Sequence, residues 1–262
     1  MRCAITDIDT DAVTRWLPMR ARTNADALPL FCLPHAGGGA SAFRTWLYRV
    51  PGVAVLPVQP PGRESRFRES PYERMGPLVQ DLATVVLDAV DQAGDRRYAV
   101  YGHSLGALTA FELLREVRRR GAAEPVHLFV SGCVAPQLVY DDGPPIAAAP
   151  LPDLVRMLRR LGGTPEWLLS DQSAMEMILP AIRADFGIKE SYVYTAEPPL
   201  DVPVTVLSSS EDARAPDGLQ ELWRDQTTAA FRRHCVPGGH FAVFEQAALA
   251  QGHLASALAQ WT

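Results

Sequence analysis

The sequence predicts an α/β protein built on a mostly parallel central sheet flanked by helices. Three observations carry this. Short apolar runs alternate with longer stretches of helical period along most of the chain, the rhythm that a parallel sheet with crossover helices requires. Several runs, VAVLPV at 53–58 and YAVY at 98–101 among them, are apolar throughout, as strands covered on both faces are. The 262 residues, 47% apolar and 21% charged, suit one domain spanning 1–262 with a full-sized core.

Taken in order, strands are expected at Leu30–Leu33, Val53–Val58, Tyr98–Tyr101, Val126–Ser131, Val204–Leu207 and Phe231–Val236. A short helix is expected over 41–49. Over 74–92, Leu78, Leu82, Val85, Val86 and Ala89 fall on one helical stripe. A helix over 104–119 is stopped by Gly121, and helices over 216–226 and 243–259 complete the alternation. Residues 136–200 break the rhythm. About seventy residues separate the fourth and fifth strands, far beyond an ordinary connection. They carry helical patterns at Leu151–Leu161, Ser173–Ala184 and Ile188–Tyr194, with prolines at both edges, and predict a helical insertion covering the site as a lid.

The net charge of −5 excludes a strongly basic nucleic-acid footprint. Cys3, Cys32, Cys133 and Cys235 form no C-x-x-C pair and no zinc spacing. The last three lie in apolar runs, so buried thiols in a reducing compartment are expected. The N-terminus has acids where a signal peptide needs an apolar core, and no apolar stretch reaches the roughly 18–20 residues of a membrane span. A cytoplasmic, membrane-free monomer is expected.

The chemistry is concentrated in Gly102-His103-Ser104-Leu105-Gly106. G-x-S-x-G alone is common, but here it follows an apolar strand and opens a helical pattern, the setting of the nucleophile elbow in α/β-hydrolase folds. Ser104 is thereby the expected nucleophile, placed where a helix N-terminus favours developing negative charge. A serine hydroxyl needs a base. Among six histidines, His240 alone follows the last strand in a glycine-rich loop, Pro237-Gly238-Gly239-His240, where the fold places that base. His127 and His234 lie in strand patterns, His253 in the last helix, His35 before the serine, and His103 in the elbow, pointing away from the site. The acid should follow an earlier strand. Glu211 and Asp212, after Val204–Leu207, both qualify; Asp185 and Asp201 are less well placed. Oxyanion donors are expected from the backbone N–H groups of Leu105 and of Ala36, the latter in the glycine-rich loop Pro34–Gly39.

With these residues placed, the chain resembles the type II thioesterases of polyketide and nonribosomal peptide synthesis. Four segments carry the match: Arg15-Trp16-Leu17 followed by LFCLPHAGGGASAF; Pro60-Pro61-Gly62-Arg63-Glu64; YGHSLGALTAFEL; and SSSEDARAP paired with GGHFAVF. The resemblance implies Asp212 as the acid, completing Ser104, Asp212 and His240, although the family often has glycine where Ser208 or Ser209 stands. It also implies hydrolysis of acyl groups from the phosphopantetheine arm of acyl or peptidyl carrier proteins, clearing stalled or mis-primed units. No metal or dissociable cofactor is implied, since the pantetheine arm belongs to the carrier.

The same triad would serve an esterase acting on free esters, or an acyltransferase or chain-releasing thioesterase. Two further expectations concern recognition. Leu154, Met157, Leu158, Leu161, Trp167, Met175 and Ile178 either line an acyl pocket or pack the insertion onto the core. Arg66 and Arg68, in the loop after the second strand, are candidates for docking an acidic carrier, whereas Arg63 is expected to pair structurally with Glu64 or another acid.

Overall fold

A computed structural model describes residues 10–20, 27–94, 96–138 and 143–262. Cys3 and the N-terminal stretch bearing on a signal peptide lie outside the described residues, as do 139–142 of the insertion.

The sheet has six strands, β1 (Leu28–Leu33), β2 (Val53–Pro57), β3 (Ala99–His103), β4 (His127–Ser131), β5 (Val204–Ser209) and β6 (Phe231–Val236). They lie in the order β2-β1-β3-β4-β5-β6, each pair parallel. All six expected strands are present. The order reverses beside β1, so the loops leaving β1 and β3 diverge at one crevice on the C-terminal edge, where open α/β sheets hold ligands.

Alternation along β1 explains its unbroken apolar run. Phe31 and Leu33 enter a core on one face with helices α2 (Met75–Ala93) and α3 (Leu105–Arg119). Leu30 and Cys32 enter a second core on the other face, with Phe43 and Trp46 of a 3-10 turn (Ala40–Trp46) and Leu254 and Leu258 near the C-terminus. Each fully buried side chain of this kind contributes about 1.5–3 kcal/mol relative to exposure. The sequence pattern did not reveal α1 (Thr10–Trp16), whose Val13 and Trp16, with Leu17 after it, complete the first core.

Between β4 and β5 the chain forms helices α4 (Leu151–Leu161), α5 (Glu166–Leu169) and α6 (Gln172–Glu190), with no strand among its described residues. Ile146, Leu154, Leu158, Leu169, Met175, Ile182 and Phe186 make a separate apolar cluster there. Two expected helices are one: α6 runs on through Gly187, where Phe186 and Ile188 are both buried, and ends at Glu190 rather than Tyr194. The segment returning to β5 is tied to α3. Arg115 donates to Thr195 O at 2.6 Å, and Arg118 to the carbonyls of Pro198 and Pro199 at 2.8 and 3.1 Å. Glu197 meets Arg115, Arg118 and Arg119 at 2.8–2.9 Å.

After β5 come α7 (Asp217–Gln220) and a 3-10 turn (Glu221–Gln226); after β6 come α8 (Ala242–Glu245) and α9 (Ala247–Leu258). Each pair divides one expected helix. Cys32, Cys133 and Cys235 form no disulfide. Cys32 is buried as expected, but Cys235 is exposed, because β6 is an edge strand. No helix among the described residues is long and apolar enough to cross a membrane.

Candidate active site

The site grows from the end of β3. Ser104 adopts φ 56° and ψ −119°, a conformation rare for a residue with a side chain and worth about 1–3 kcal/mol of strain. The surroundings impose it. The Ser104 N–H donates to Ser131 O of β4 at 2.8 Å. A Cβ on Gly102 would come within 2.1 Å of Gly106 O, and one on Gly106 within 2.2 Å of Leu33 O. Backbone thus packs on backbone where β3, α3 and β1 meet, leaving the serine at the N-terminus of α3.

His240 leaves β6 through Pro237-Gly238-Gly239. Its Nδ1 lies 2.8 Å from Asp212 Oδ2, and an ionised carboxylate only accepts, so Nδ1 carries the proton. Both residues are buried. Asp212 Oδ1 accepts from the N–H groups of Arg214 and Ala215 at 2.9 and 3.2 Å, so both oxygens are engaged. Burial acts to raise the pKa of Asp212. The hydrogen bond and charge of His240, with the two backbone donors, outweigh it and hold the carboxyl below its usual range. Glu211 is exposed, and its N–H donates to Gly238 O at 2.9 Å, tying the two loops together. Of the two expected acids, Asp212 is the one that meets the histidine.

His103 departs from expectation. Its ring is fully buried and lies 4.9 Å from that of His240, beneath the site rather than away from it. Ser131 Oγ joins His103 Nδ1 (2.8 Å) to the Tyr101 hydroxyl (2.6 Å). Burial first, then the charges of His240 and His35, push His103 far below the usual imidazole range. His35 lies 6.0 Å from His103 and 4.8 Å from Phe241; burial, His240 and Arg63 bring it to about 3. Nothing local in the sequence assembles these three histidines, which come from different strand ends.

The loop after β1 faces the elbow. Gly37 takes a positive φ of 77°, which a residue with a side chain rarely adopts. No protein partner among the described residues takes the N–H of Ala36 or of Leu105. Asp185 of α6 accepts from Gly37 N at 2.7 Å and pairs with Arg63, whose Nη2 lies 2.9 Å from Asp185 Oδ1. The structural partner expected for Arg63 is therefore Asp185. Glu64 instead accepts from Ser41 Oγ at 2.6 Å and from Ser41 N at 3.3 Å, at the start of the 3-10 turn.

Arg66 is not available to dock a partner. It is 8% exposed, stacks 4.5 Å over Trp16, and donates to Gln59 O at 3.1 Å and Glu69 Oε1 at 2.9 Å. Arg68 is exposed. Of the expected acyl-lining residues, Leu154, Leu158 and Met175 are enclosed in the insertion's own cluster, while Trp167 is 71% exposed. A cavity of about 30 Å³ behind Leu105 and His35, bounded by Trp16 and Tyr72, has room for water rather than an acyl chain.

Residues 28–262 match the family model described as the thioesterase domain. The gramicidin S biosynthesis protein GrsT of Aneurinibacillus migulanus is 38% identical over 239 residues, covering 89% of this chain and 90% of its own. Thioesterase PikA5 of Streptomyces venezuelae is 38% identical over 226 residues, covering 84% and 77%. Among solved structures, the RedJ thioesterase from the prodiginine pathway of Streptomyces coelicolor superposes with a TM-score of 0.79 at 38% identity, over 94% of this chain and 99% of that one. The type II thioesterase BorB from the borrelidin cluster gives 0.82 at 33%, over 93% and 97%.

Proposed function

This chain belongs to the thioesterase domain family, and from that premise we propose that it edits a polyketide or nonribosomal peptide assembly line by hydrolysing acyl groups from the phosphopantetheine arm of carrier proteins. The observation that carries the reading is the 2.8 Å contact of His240 with Asp212, on the sheet edge that bears the strained Ser104.

In this reading Ser104 Oγ attacks the thioester carbonyl while His240 Nε2 takes the hydroxyl proton. The Ala36 and Leu105 N–H groups hold the oxyanion. Collapse breaks the C–S bond, His240 returns the proton to the departing thiolate, and the acyl group remains as an ester on Ser104. Water then attacks this ester, giving a proton to His240, which passes it to Ser104 Oγ as the free acid leaves. Asp212 orients the imidazole and stabilises its charged form without itself taking the proton. The steps call for no cofactor; the pantetheine arrives with its carrier.

A panel of acyl carrier and peptidyl carrier proteins loaded with varied acyl groups tests this. Carrier-bound thioesters should exceed the matching free esters in kcat/KM by at least tenfold, and Ser104→Ala should abolish hydrolysis. Preference for free esters, or transfer to an added amine or alcohol without release of acid, overturns the proposal.

A further inference from the structure

We infer that Asp185, reaching in from helix α6 of the insertion, is a positioning residue for the Ala36 N–H that holds the oxyanion, an inference that rests on the hydrolytic mechanism proposed above.

Two peptide planes flank Ala36. The Ala36 N–H shares a peptide unit with His35 C=O, which accepts from Gly38 N at 2.9 Å. The next unit carries the Gly37 N–H, which Asp185 Oδ2 takes at 2.7 Å. Both units flanking Ala36 are thereby fixed, one by the loop itself and one by the insertion. Arg63 completes the grip. It pairs with Asp185, donates from Nη1 to Gly38 O at 3.1 Å and from Nε to Pro61 O at 3.2 Å. Asp185 and Arg63 are 6% and 7% exposed, so these bonds act away from solvent. Ile182, one turn before Asp185 on α6, closes over the same loop, since a Cβ on Gly37 would lie 2.9 Å from its Cγ1. An oxyanion donor misplaced by a fraction of an ångström loses much of its effect. The acid that sets this one comes from 148 residues further along the chain, outside the sheet that carries the triad.

Removing Asp185 alone strands the buried Arg63 charge and confounds folding with catalysis. The decisive comparison is therefore between two double variants without that charge. Arg63→Met with Asp185→Asn keeps an acceptor for Gly37 N–H; Arg63→Met with Asp185→Leu removes it. With acyl-pantetheine as substrate, the asparagine variant should keep kcat within about fivefold of wild type. The leucine variant should fall at least tenfold below it, with KM within twofold. It should also bind an acyl trifluoromethyl ketone, whose serine adduct needs the oxyanion donors, at least tenfold more weakly. Equal kcat and inhibitor affinity in the two variants, or a loss confined to KM or to Tm, overturns the inference. If the leucine variant does not fold, the asparagine variant decides: a folded protein more than tenfold below wild type overturns it as well. Wild-type enzyme inert toward the thioester overturns the hydrolytic reading, and this inference with it; active wild type with equal double variants overturns this inference alone.

Discussion

The ring of His103 lies 4.9 Å from that of His240, yet only the second of these imidazoles meets a carboxylate. His240 has a carboxylate at Nδ1, whereas His103 has only the Ser131 hydroxyl and is driven neutral by burial and by the charge at His240. Burial holds His35 low as well, and of these three imidazoles His240 is the one paired with a carboxylate.

Replacing the triad should act on turnover without unfolding the protein. Ser104→Ala and His240→Ala are each expected to lower kcat by about 10³-fold or more, and Asp212→Asn by about 10²–10⁴-fold, because the three act as a unit. Glu211→Gln should retain wild-type turnover, since that side chain is exposed. Steady-state thioester hydrolysis with circular dichroism on each variant checks this; a dead Glu211→Gln would return the acid's role to that residue.

Acidification should weaken the fold well above the carboxylate range. His127 is lowered to about 4 by burial and the Arg232 charge, and His35 to about 3. In the unfolded chain an imidazole binds its proton near pH 6.5. Below that pH the unfolded state binds more protons than the folded one, so stability falls as pH drops. The loss continues to about pH 4 for His127 and pH 3 for His35, at up to about 1.4 kcal/mol per pH unit for each. Denaturant midpoints at pH 7.5, 5.5 and 4.5 should decline, and His127→Gln should flatten part of the slope. A profile level between pH 7.5 and 4.5 contradicts this.

The loop after β2 should divide by burial. Arg66→Ala is expected to destabilise the protein by about 1–3 kcal/mol, through lost hydrogen bonds and packing on Trp16, with similar effects on carrier-bound and carrier-free substrates. Arg68→Glu should leave stability within about 0.5 kcal/mol and raise KM for the carrier-bound substrate at low salt. Urea unfolding and kinetics at two ionic strengths separate the two. An Arg68→Glu enzyme with unchanged KM at low salt removes Arg68 from the docking surface.

Within the insertion, Leu154→Ala should lower stability by about 2–5 kcal/mol, whereas Trp167→Ala should change it by no more than about 0.5 kcal/mol. Comparable losses of Tm for both would mean that Trp167 is covered in solution.

What the sequence disclosed follows the range of the forces involved. The strands were legible because two-faced burial writes itself as unbroken apolar runs, as Phe31 and Cys32 do on opposite faces of β1. The elbow was legible because its glycines are required within a few residues of Ser104. α1 was missed because seven residues are too few to display a period, and its place is fixed by Trp16 packing on Tyr72, far along the chain. Arg63 and Asp185 are 122 residues apart and belong to no local pattern. The burial of Arg66 was likewise invisible, since an arginine in a polar loop reads as solvated until Trp16 is known to lie beneath it.

The bonds from α3 to the returning segment bear on recombination between relatives. A piece of chain set between two adjacent strands invites exchange at its borders as a ready-made cassette. Here the borders are not where the helices end. Thr195, Pro198 and Pro199 lend their carbonyls, and Glu197 its carboxylate, to arginines of the host helix. A chimera joined on the C-terminal side of Pro199 would bring in a foreign return segment, and one without an acid at position 197 would leave Arg115, Arg118 and Arg119 without that carboxylate. One joined before Thr195 carries the whole fastening with the recipient, so any crossover that preserves the host should fall on the donor's side of that residue.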